Sequence, residues 1–255
     1  MLSHSLLALA LALSLFSLDV SAQRGFFGGG GRGRNGAGAA GGAKCATGVH
    51  MIVARASTEP PGEGIIGAVA DDVKQQVPGS DSVAVDYPAT LSNYANSEAQ
   101  GVSAMQDLLE EYAAACPGSK VVLMGYSQGA QVVGDVISGG ATGTGGGFGK
   151  RIKRAVHYRQ RRQIPAQANV VAIIQMGDPT FTLGQDFNVG NARKGGIFAR
   201  QDTSALEAVG DKIQSYCDSP DTFCDSGNSL ATHLGYVNER GTDATDFIVQ
   251  KANAA

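Results

Sequence analysis

Short runs of consecutive apolar residues alternate along this chain with longer segments in which apolar positions recur every three or four residues. Residues 49–54, 83–86, 121–124 and 170–176 have the composition of strands buried on both faces. Over 97–115, Val102, Met105, Leu108, Leu109 and Tyr112 fall on one helical face. Further helices are expected over 63–77, 128–137 and 242–251. Strands alternating with helices imply right-handed crossovers and a parallel sheet covered on both faces, so the fold class is α/β. No fixed-period repeat interrupts this pattern.

The first 22 residues depart from it. An apolar core over 6–18 ends in Val20-Ser21-Ala22, the small-residue pattern of a signal-peptide cleavage site, although no Lys or Arg precedes the core. A membrane anchor needs about 18 apolar residues, so a secreted protein is expected rather than a membrane-bound one. Residues 23–42 are mostly Gly, Arg, Ala and Asn; with almost nothing to bury, they read as a flexible linker. The rest, 43–255, has the length of one domain. Within it, 139–165 form a glycine-rich and basic insertion: 150–163 hold seven Lys or Arg and no acid, the composition of a solvated loop.

The formal net charge of −3 gives no pull toward nucleic acid or an anionic membrane. Four cysteines, Cys45, Cys116, Cys217 and Cys224, suit two disulfides in an oxidising compartment. Three pairings exist. Cys217 and Cys224 lie seven apart across a turn-rich stretch and form the expected local pair, leaving Cys45 for Cys116. No cysteine then remains for a metal, and the histidines show no paired short spacing, so neither metal nor cofactor is expected.

Gly125-Tyr126-Ser127-Gln128-Gly129 joins a predicted strand to a predicted helix through G-x-S-x-G, the context of a nucleophile elbow. A serine hydroxyl needs a base to become a nucleophile. His4 leaves with the signal peptide, His50 lies in a predicted strand and His157 in the basic insertion, so His233, placed in a loop before the last helix, is the candidate. For the acid that holds the imidazole, Asp218, Asp221, Asp225 and Asp178 are open, and spacing alone does not choose. A disulfide across 217–224 would restrain Asp221, whereas Asp178 in Gly177-Asp178-Pro179 suits a strand-end turn. The order Ser, Asp, His is that of α/β-hydrolases. Gln128 would offer its backbone N–H to an oxyanion.

These blocks, together with Ala54-Arg55-Ala56-Ser57-Thr58-Glu59, Tyr216-Cys217 and Thr232-His233 with Gly235-Tyr236, resemble the cutinase and acetylxylan esterase family of fungal secreted serine esterases, from about Cys45 to the C-terminus and leaving out the basic insertion. The resemblance implies a three-layer, α/β-hydrolase-like sandwich around a central parallel sheet, Asp221 at the Cys-x3-Asp-x2-Cys position as the acid, His233 as the base, and both disulfides. It also implies that Ser57 joins Gln128 in an oxyanion hole. The expected activity is hydrolysis of esters in plant cell-wall polymers by a monomer, with acetylated xylan ahead of cutin. A noncatalytic wall-binding protein or a secreted effector would share the fold but leave these three residues without a purpose.

Overall fold

A computed structural model describes residues 44–139 and 168–255. The expected signal peptide, the linker and nearly all of the basic insertion lie outside the described residues.

Among those described, the strands are β1 (Val49–Ala54), β2 (Asp81–Ala84), β3 (Lys120–Tyr126), β4 (Asn169–Met176), β5 (Asn188–Val189) and β6 (Ile213–Tyr216). They form one sheet in the order β2-β1-β3-β4-β6-β5, every pairing parallel. The helices are α1 (Gly67–Gln76), α2 (Tyr94–Ala115), α3 (Gln128–Ile137), a short α4 (Ser204–Glu207) and α5 (Leu230–Ala254).

Alternation along β1 explains why its sequence is apolar apart from His50 near its start. Val49, Met51 and Val53 share a core with Val69 and Val73 of α1 and Ile248 of α5. Ile52 and Ala54 face the other core, with Val102, Met105 and Leu109 of α2 and Val132, Val133 and Val136 of α3. Each such side chain contributes about 1.5–3 kcal/mol on burial, and a strand covered on both faces has no solvent side on which to place a polar residue.

Several elements differ from the sequence pattern. Strand β2 starts at Asp81 because its register on β1 pairs His50 with Asp81 and Val53 with Ala84. The edge strands β5 and β6 are too short for periodicity to reveal them. The last helix begins at Leu230, not at 242: Ser229 caps it by accepting from the Thr232 N–H at 3.1 Å, and packing against α1 carries it through Gly235 and Gly241. His233 therefore sits in the first turn of a helix, not in a loop.

Cys45 is bonded to Cys116, fastening the segment before β1 to the end of α2, and Cys217 to Cys224, closing the loop after β6.

Candidate active site

In a parallel sheet all strands deliver their carboxyl ends to one edge, where the chain is free to carry functional groups. Here β1, β3, β4 and β6 bring Ser57, Ser127, Gly177 and the 217–224 loop to that edge.

Ser127 follows β3 directly and caps α3 with φ +54° and ψ −116°, a conformation that L-residues rarely adopt. Its N–H donates to Met176 O at 2.8 Å. The turn is tight enough to require both flanking glycines: a Cβ at Gly125 would lie 2.1 Å from Gly129 O, and one at Gly129 would lie 2.1 Å from Ala54 O.

His233 Nε2 lies 3.0 Å from Ser127 Oγ, and His233 Nδ1 lies 2.8 Å from Asp221 Oδ2. The buried carboxylate only accepts, so Nδ1 carries the proton and Nε2 is left to accept from the serine hydroxyl. The imidazole is held on several sides. Its backbone carbonyl accepts from the Tyr126 hydroxyl, and Phe223 meets the ring edge-on at 4.5 Å. Gly177, at φ +64°, leaves the space that the ring fills; a Cβ there would come within 2.8 Å of His233 Cε1.

Asp221 is fully buried and its acceptor sites are filled. Oδ1 accepts the N–H groups of Phe223 (2.6 Å) and Cys224 (2.9 Å); Oδ2 accepts from His233 Nδ1 and from the Tyr236 hydroxyl at 2.9 Å. Burial alone would raise its pKa, but the hydrogen bond and charge of His233 and the two loop N–H groups outweigh it and hold the carboxyl below its ordinary range. None of the other three acids hydrogen-bonds His233. Asp218 pairs with Arg240, Asp225 accepts from the N–H groups of Arg193 and Lys194, and Asp178 braces Thr180 and Gln175 in a turn. His50 lies near the opposite end of the sheet, 2.6 Å from Asp81 and stacked on Tyr112.

Two donors border Ser127. Gln128 N–H stands in the first turn of α3, where a helix has no internal acceptor to offer. Its side chain is fastened by the Ser97 hydroxyl (3.1 Å) and by Thr90 O (3.3 Å). Ser57 Oγ is buried in the cleft wall with no hydrogen-bond partner among the described residues, an arrangement that costs stability and points to a ligand. Its loop is stiffened by residues that sequence reasoning gave no role. Glu59 accepts from the N–H groups of Ala56 (2.6 Å) and Ile65 (2.7 Å), and buried Arg55 donates to Glu59 O at 3.1 Å and to Tyr87 O.

A cleft of about 570 Å³ opens over Ser127 and His233. Its rim is apolar: Leu91, Ile197, Leu230 and Leu234 are between 45 % and 60 % exposed, unusual for side chains of this size. Behind the wall, the hydroxyl of Tyr94 donates to Gln131 (2.9 Å), whose carbonyl accepts from Arg200. Arg200 also donates to Asp135, which is hydrogen-bonded to Glu98. Burial first, then the charge of Asp135, pushes the pKa of Glu98 well above the ordinary carboxylate range. Among the described residues, no three His, Cys, Asp or Glu are placed to hold a metal ion.

A family model described as Cutinase matches residues 45–252. Acetylxylan esterase 2 of Talaromyces purpureogenus is 34% identical over 212 residues, 80% of this chain and 86% of that protein. Cutinase 11 of Verticillium dahliae is 34% identical over 217 residues, covering 81% and 69%. Among solved structures, the catalytic core domain of acetyl xylan esterase from Trichoderma reesei superimposes with a TM-score of 0.68 at 33% identity, covering 82% of this chain and 100% of that one.

Proposed function

Given that the chain belongs to the cutinase family, we propose that it is a secreted, monomeric serine esterase that acts on plant cell-wall esters through Ser127. Membership of this family makes it a carboxylic ester hydrolase of the serine type. The observation that carries the assignment of residues is the continuous hydrogen-bonded series from Ser127 Oγ through His233 to Asp221.

Ser127 Oγ attacks the ester carbonyl carbon as its proton passes to His233 Nε2, and the imidazolium is stabilised by Asp221. Negative charge on the carbonyl oxygen is met by Gln128 N–H and Ser57 Oγ–H, a contribution on the order of 3 kcal/mol per donor. His233 then returns the proton to the departing alcohol. Water repeats the sequence on the acyl-enzyme: it loses a proton to His233, adds to the carbonyl, and releases the acid as Ser127 recovers its proton. Two disulfides fit an oxidising compartment.

Ser127→Ala is expected to abolish hydrolysis of p-nitrophenyl acetate; full turnover by a clean preparation overturns the assignment. Removal of acetyl groups from xylan is the leading reading, following the relatives named acetylxylan esterase. The apolar rim favours a second one, longer acyl chains as in cutin, because such side chains offer no hydrogen bonds to a sugar. Rates on acetyl, butyryl and longer acyl esters, then on acetylated xylan and cutin, separate the two.

A further inference from the structure

A second depression, of about 390 Å³, is lined by segments that also reach the cleft and is the more polar of the two. Three segments contribute to both. Arg193 and Lys194 line the depression, while Ile197 of the same turn lines the cleft; Ser219 and Pro220 precede Phe223 in the acid loop; Asn228 precedes Leu230. The Ile197 N–H donates to Phe223 O at 2.8 Å, so two of these segments are joined between the two hollows. Both backbones are fixed: Asp225 Oδ1 accepts from the N–H groups of Arg193 and Lys194 at 2.6 Å each, and Gly227 N–H donates to Asp221 O at 2.7 Å.

The depression carries a net positive charge, with Arg193 and Lys194 set against Asp225. The Arg193 and Lys194 side chains are exposed, and among the described residues neither forms an ion pair. Of the nearest acids, neither forms an ion pair with these two side chains among the described residues. Asp225 is buried against the backbone donors just named, and Asp218 is held by Arg240 in a pair of contacts at 3.0–3.1 Å. Two cations without an ion pair among the described residues, beside Ser219 and Asn228, suit a carboxylate with hydroxyls around it.

Resting on the esterase reading above, we propose that this depression binds a uronate residue of an anionic glycan on the alcohol side of the scissile ester, while the apolar cleft receives the acyl side. The cleft has the surface an acyl group requires, and the depression has the surface a sugar acid requires. An ester whose carbonyl carbon lies at Ser127 would reach from one to the other past Ile197 and Phe223.

The test compares acetylated xylan oligomers with and without a glucuronate side group, each rate divided by that of the same protein on p-nitrophenyl acetate. The wild type is expected to prefer the uronate-bearing oligomer by about fivefold in kcat/KM, mainly through KM, with the preference fading as salt rises. In the Arg193→Ala/Lys194→Ala double variant the ratio should fall to one. Equal rates on the two oligomers in the wild type, or a preference that survives in the variant, overturn the proposal while leaving the esterase reading intact. Absence of hydrolysis of p-nitrophenyl acetate by the wild type overturns both.

Discussion

Tyr236 donates its hydroxyl to Asp221 Oδ2 across 2.9 Å, on the same oxygen that receives His233 Nδ1. The same hydroxyl accepts from the Asp218 N–H at 2.8 Å, so one phenol links both acids of the loop to α5. Tyr236→Phe keeps the ring but strands a buried N–H and frees one lone pair of Asp221. The expected result is a loss of about 1–3 kcal/mol of stability and a drop in kcat with KM nearly unchanged. Thermal melting and steady-state kinetics on a p-nitrophenyl ester measure the two effects separately. A variant with wild-type kcat would show that Asp221 needs no such support.

Among the described residues Ser57 Oγ has no hydrogen-bond partner, so removing it should leave the fold intact. If it donates to the oxyanion, Ser57→Ala lowers kcat by about 10²-fold, with little change in KM or melting temperature. An unchanged kcat would remove Ser57 from the oxyanion hole and leave Gln128 N–H alone in that role.

Glu98 gives a prediction for stability at high pH. Its folded-state pKa is raised by burial and by the neighbouring Asp135, so it remains protonated after the unfolded chain has lost this proton. Its contribution is complete below the ordinary carboxylate range and is lost as pH rises from there through the raised folded-state value, with a slope of up to about 1.4 kcal/mol per pH unit. Glu98→Gln keeps the shape and cannot ionise. Denaturant unfolding across this range should show the wild type losing stability with rising pH relative to the variant, and parallel curves would contradict the protonated assignment.

The strand-to-helix turn at Ser127 was legible because it is local: two glycines, a serine and a strand-to-helix switch lie within a few residues. The strands of the sheet centre were legible because burial on both faces leaves them mostly apolar. The position of His233 was misread because Gly235 and Gly241 lower helix propensity just where tertiary packing sustains α5. The cluster of Glu98, Asp135, Asp178 and Arg200 was invisible for a different reason. Charged residues read singly as solvent-exposed, and only the fold brings these four, spread over about a hundred positions, into one buried place. Tyr236 was noted for its sequence block, but its hydrogen bond to Asp221 depends on a helix that starts twelve residues before the pattern predicts.

Covalent labelling addresses the nucleophile without choosing a substrate. A fluorophosphonate should add one phosphonyl group to the peptide containing Ser127, as read by peptide mass spectrometry. The adduct should be absent in Ser127→Ala and form about 10²–10⁴-fold more slowly in His233→Ala. Labelling at another residue, or an adduct undiminished by Ser127→Ala, would contradict the assignment of Ser127 as the residue that attacks the ester.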